Sequence, residues 1–143
     1  MRVVIDTNVL ISALLKANSG PSKIIELWRA QILDVVVSPE IIAEVSRVLA
    51  YPKISERIPG EVAERFLALL WAAATVIEPN LYVTAVDADP DDDKFVTLAL
   101  VSNVAFIVSG DRHLLEVGAY QGITIVTPAQ FLAIISEMSD SEE

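Results

Sequence analysis

The chain has no cysteine, a single histidine, and only 10 Lys or Arg residues against 20 Asp or Glu. Without cysteine there can be no disulfide, no thiolate chemistry and no zinc–sulfur site. With His113 alone, neither a multi-histidine metal centre nor a histidine relay can be assembled, and this residue reads as a local cap or packing group. The 5 glycines form no phosphate-cradling loop. No apolar stretch approaches the ~20 residues of a membrane span. Met1-Arg-Val-Val-Ile-Asp6 enters a strand at once, leaving no room for a signal sequence. These absences point to a cytoplasmic protein.

Shortage of bases gives a net charge of -10 over 143 residues, which weighs against a phosphate-binding surface. Much of the excess is local. The segment 136–143 carries 4 acids and is expected to fray, and Asp87–Asp93 holds 5 acids in 7 residues. One domain over residues 1–135, followed by the acidic tail 136–143, is the expected organisation.

What the chain does have is apolar sequence in short periodic bursts, 53% of its residues in all. Arg2–Ile5 is a β-branched run of the kind buried on both faces. Helices are expected from Asn8 to Lys16, from Pro21 to about Ala30, from Pro39 to Ala50 behind a Ser38 cap, and after Pro59-Gly60. The last of these carries Val62, Phe66, Leu69, Leu70 and Ala73 inward. Trp28 and Trp71 both fall on such stripes and read as core. Leu33–Val37, Thr75–Ile77, Val104–Val108 and Ile123–Val126 are the remaining strands. Further helices are expected over Asp91–Ser102, Arg112–Val117 and Pro128–Ser136. This alternation predicts a single three-layer α/β/α, Rossmann-like domain with a mainly parallel, roughly five-stranded sheet. Ligands of such sheets bind at the carboxyl edge of the strands.

Four acids are directed to that edge. Asp6 follows the first strand, and Asp111 follows Val104–Val108 after Ser109-Gly110. Glu44 shares an inward helical stripe with Ile41, Val45 and Val48. Asp92 aligns with the inward residues Phe95, Val96 and Ala99, whereas Asp93 aligns with Val96, Thr97 and Leu100. Asp92 is therefore the better candidate for the third acid and Asp93 its reserve. Asp87, Asp89 and Asp91 are expected to face water. Each acid also has a plainer explanation: a helix cap for Asp6 or Asp111, a pairing with Arg47 for Glu44, a solvated loop for the aspartates. Their convergence, with no basic partners foreseen, calls for a cation. A calcium loop at Asp87 fails, because Asp92 stands where its glycine belongs and Leu98 where its glutamate belongs.

Val3-Val-Ile-Asp-Thr-Asn-Val-Leu-Ile11, the helix bearing Glu44, Asp89-Pro-Asp-Asp-Asp-Lys-Phe95 and Phe106-Ile-Val-Ser-Gly-Asp111 together resemble PIN-domain proteins, in that family's order from Arg2 to about Leu132. The aspartate block is most like a subgroup described as toxins of toxin–antitoxin pairs. The resemblance implies an Mg²⁺- or Mn²⁺-dependent ribonuclease with a small antitoxin as partner. Carried over, Asp6, Glu44, Asp92 (or Asp93) and Asp111 would be the catalytic, metal-binding acids, with Asn8 and Ser109 in support. Lys16, Arg47, Lys94 and Arg112, the bases nearest these acids in sequence, are candidate phosphate contacts. Two other readings stand beside this one: phosphoryl transfer through an aspartyl-phosphate at Asp6, and a non-catalytic RNA-binding module. A mean hydropathy of +0.51 also points to exposed apolar helix faces and a homodimer.

Overall fold

β1, Arg2–Ile5, takes the centre of the sheet, and Val3, Val4 and Ile5 are all buried, so both of its faces are covered. A computed structural model describes residues 1–141 of the protein. After β1 come α1 (Thr7–Leu15) and α2 (Gly20–Arg29), then β2 (Asp34–Val37) and α3 (Pro39–Leu49). α4 (Pro52–Ser55), α5 (Gly60–Ala73) and β3 (Thr75–Val76) complete the first half. A 3-10 turn, Pro90–Asp92, leads into α6 (Asp93–Val101), followed by β4 (Phe106–Val108) and α7 (Arg112–Val117). β5 (Ala119–Tyr120), β6 (Ile123–Val126) and α8 (Pro128–Ser141) close the chain.

The strand order is β3-β2-β1-β4-β6-β5, and every pairing is parallel except β5 with β6. The chain runs outward from β1 through β2 to β3, then returns to the other side of β1 with β4. The topological switch therefore lies between β1 and β4, where such sheets open a crevice at their carboxyl ends. α6 packs on β1, β2, β4 and β6, while α1 packs on α2 and α3.

Several expectations are corrected. The sheet has six strands, not five, because the two-residue β5 adds an antiparallel edge. So short a strand leaves no periodicity to detect. Proline at 52 ends α3 as expected but also starts α4, a first-turn position it suits. α8 continues to Ser141 rather than ending at Ser136, and Glu142 and Glu143 lie outside the described residues. Trp28 is core, but Trp71 is 54% exposed on the outer side of α5, and Val62 is exposed as well.

Candidate functional site

Asp6 directly follows β1, Asp111 follows β4 after Ser109-Gly110, and each begins a helix. Asp6 accepts from Asn8 N through Oδ1 at 3.2 Å and caps α1. Asp111 accepts from Leu114 N through Oδ2 at 3.1 Å and caps α7. The plainer reading of both residues is thus correct, and yet both also line the crevice. A carboxylate has about four lone-pair sites, so one cap bond leaves acceptor capacity over. Ser109, fully buried, joins the two: its Oγ donates to Asp6 Oδ2 at 2.7 Å and accepts from Asp111 N at 2.9 Å.

α3 supplies the third wall. Ser38 Oγ caps it by accepting from Ile41 N at 3.1 Å, and Ile41, Ile42, Val45 and Leu49 anchor its buried stripe. This orientation turns Glu44, 14% exposed, to the crevice. The resulting cleft, about 240 Å³, is lined by Asp6, Asn8, Glu44, Arg47, Val48, Tyr51, Asp89, Asp91, Asp92 and Asp111.

Asp92 is in the cleft; Asp93 is not. Asp93 Oδ1 instead accepts from Ala85 N at 2.9 Å and Val86 N at 2.8 Å, and Thr97 Oγ1 accepts from Val83 N at 3.1 Å. Together they pin the loop before the 3-10 turn onto α6. The reserve role given to Asp93 is therefore corrected: it is buried away from the cleft, with its Oδ1 accepting from two backbone amides.

The crowding of acids has electrostatic consequences. Burial, first, then the charge of Asp89, a hydrogen-bonding contact with Asp111, and the charges of Asp6 and Asp111 push the Asp92 pKa up to about 8. Burial also raises Asp6, against the lowering effect of its bonds from Ser109 and Asn8, with Asp111 and Glu44 adding repulsion. An oxygen-only donor set that resists ionisation suits a hard divalent cation. Among the described residues no three His, Asp or Glu side chains yet converge as a ready ligand group. Glu44 has one oxygen engaged, by Lys94 and Arg47, whereas Asp6 has both, Oδ1 by Asn8 N and Oδ2 by Ser109 Oγ.

The expected bases divide. Arg47 lines the cleft, 3.8 Å from Glu44 Oε2 and well exposed. Arg112 is exposed beside Glu116 at 3.6 Å and borders an adjoining groove of about 450 Å³ that shares Asn8 and Asp111 with the cleft. Lys16 is exposed and is not among the cleft residues. Lys94 is corrected outright: it is buried and contacts Glu44 and Asp91 instead of facing outward. The expectation that the acids lack a basic partner falls with it. His113 lies outside the cleft, its Nδ1 buried without a partner.

Tyr51, Asp89 and Asp91 escaped the sequence reading as cleft residues. A signal existed for Tyr51: positions 44, 47, 48 and 51 follow i, i+3, i+4 and i+7, one helical stripe. Asp91 does face water, being 78% exposed, but from the cleft's rim.

Known proteins agree with this architecture. The uncharacterized protein MJ1680 of Methanocaldococcus jannaschii is 37% identical over 119 residues, 81% of this chain and 74% of its own. PAE2754 from Pyrobaculum aerophilum superposes with a TM-score of 0.61 at 17% identity, covering 94% of this chain and 89% of its own. VapBC2 from Rickettsia felis, solved bound to a DNA fragment from its promoter, gives a TM-score of 0.60 at 15% identity, with 87% and 97% covered. At such identities these two structures speak for the fold alone. The profile described as PIN domain matches residues 2–113, and the chain belongs to the PIN-domain family.

Proposed function

We propose that this PIN domain is a divalent-metal-dependent endoribonuclease that hydrolyses RNA phosphodiester bonds. The observation carrying this reading is the meeting of Asp6, Glu44, Asp92 and Asp111 in one cleft at the β1/β4 switch, with Asp92 held back from ionising by burial and by its acidic neighbours. These four acids would hold Mg²⁺ or Mn²⁺. Bound there, such an ion supplies positive charge for a phosphate and lowers the pKa of water.

The chain's own groups prepare the site. Ser109 fixes the Asp6 carboxylate, α1 and α7 present their amino ends beside Asp6 and Asp111, and Asn8 stands at the cleft's mouth. Arg47 on one side and Arg112 on the other are placed to meet substrate phosphates, which answers the adverse overall charge locally.

A small antitoxin partner belongs to the same reading. It is supported by the aspartate block of the sequence and by likeness in fold to VapBC2. So do a homodimer, for which Ile32, Trp71 and Leu81 leave exposed apolar surface, and a cytoplasmic location; no helix among the described residues is long and apolar enough to cross a membrane. Burial of Asp6, only 3% exposed, weighs against its service as a phosphate acceptor.

The test is incubation of a varied RNA pool with Mn²⁺, Mg²⁺ or chelator, comparing the wild type with Asp6→Asn. Metal-dependent cleavage lost by orders of magnitude in the variant is expected. Identical products from both proteins, with or without metal, would overturn the nuclease.

A further inference from the structure

Lys94 is the one base among the described residues that is buried, its side chain 3% exposed. Its Nζ contacts Glu44 Oε2, lies 3.3 Å from Asp91 Oδ2, donates to the Asp91 carbonyl at 2.7 Å and sits 5.1 Å over the Phe95 ring. Held between Glu44, the Asp91 carboxylate and the Asp91 carbonyl, the ammonium is a positive charge fixed in place behind the acidic wall. It ties α3 to the 3-10 turn, two elements that each present acids to the cleft.

We infer that Lys94 is the cleft's built-in counter-cation: a positioning residue that holds Glu44 and the Asp91 turn in place without metal, and whose charge opposes a divalent ion that shares Glu44. The inference rests on the metal-site reading above. A buried ammonium, unlike a mobile surface lysine, cannot swing away to meet substrate phosphate. It can offset repulsion among the acids, so that the cleft stays formed when no ion is present. The cost is weaker metal binding, because two cations on one carboxylate repel at short range.

The test measures Mn²⁺ binding by electron paramagnetic resonance and by thermal shift, in wild type, Lys94→Met and Lys94→Arg. Lys94→Met should bind Mn²⁺ about ten-fold tighter or more and melt lower than wild type in chelator. Lys94→Arg should keep the affinity of the wild type. Should Lys94→Met not fold, lysine-selective NMR of the wild type decides: the Lys94 ammonium resonance should shift along the same curve as Mg²⁺ saturation. Affinity unchanged or weakened in Lys94→Met, or an ammonium signal indifferent to bound Mg²⁺, would overturn the inference. A wild type that binds no divalent ion would instead overturn the metal-site reading itself.

Discussion

Ser109 Oγ stands 2.7 Å from Asp6 Oδ2, a bond between the ends of two neighbouring strands made by residues 103 positions apart in sequence. Both residues are buried, so neither can turn to water for a replacement partner. Ser109→Ala should therefore destabilise the fold by ~1–3 kcal/mol, the usual penalty for an orphaned buried polar group. Urea melts check this. RNA cleavage should fall as well, since Asp6 loses the bond that favours its ionised form. Unaltered stability would show that the bond holds nothing in place.

Neighbouring aspartates should separate cleanly. Asp93→Ala strips the acceptor from two backbone amides, at a cost on the order of 2 kcal/mol, and should lower the melting temperature with metal present or absent. Asp92→Asn removes a carboxylate that its neighbours already oppose, so it should leave metal-free stability intact or higher while abolishing Mn²⁺ binding. Calorimetry of both variants with and without Mn²⁺ is the measurement. Wild-type affinity in Asp92→Asn would remove that residue from the site.

The metal-free protein should lose stability as pH rises. In the folded chain burial and the neighbouring acids push the Asp92 pKa up to about 8, against an ordinary value of 3.8. Unfolded, it gives up its proton first, so between those values the folded chain binds more protons and each step up in pH favours unfolding. Its protective contribution is complete below 3.8 and is gone once pH passes about 8. Melts in chelator across this window, wild type minus Asp92→Asn, should show a difference that declines with pH. A flat difference would contradict the raised pKa.

The two tryptophans should behave oppositely. Trp28→Ala empties a core position and should cost ~3–5 kcal/mol, whereas Trp71→Ser, exposed on the single chain, should stay within about 0.5 kcal/mol at concentrations too low for a dimer. Equal losses in denaturant melts would place Trp71 against structure it does not touch here.

The parallel sheet and three walls of the cleft were legible because their signals are local. Arg2–Ile5 and Asp34–Val37 are runs of β-branched residues, and an acid placed directly after such a strand has only one edge to occupy. The inward stripe of α3 similarly fixed where Glu44 would point. What stayed hidden depends on contacts across the chain. Helical phase favours Asp92 over Asp93, and Asp92 is the one that lines the cleft. The change from a 3-10 turn at Pro90–Asp92 to α6 nevertheless alters the residues per turn, so phase alone keeps Asp93 in reserve. The task of Asp93 is set by a loop folding back to it, and the burial of Lys94 by a glutamate fifty positions upstream. Lysines are seldom buried unless paired, and nothing in sequence periodicity announces the pair.

Pairing of β1 with β4 has a consequence for synthesis. Asp6, Glu44 and Asp92 are all made before residues 106–111, but Ser109 and Asp111 must follow, and β4 must dock beside β1, before the cleft has all its walls. A nascent chain that stops short of β4 lacks Ser109, Asp111 and one side of the crevice. Whatever enters the cleft therefore meets it complete only after β4 has been made and has docked.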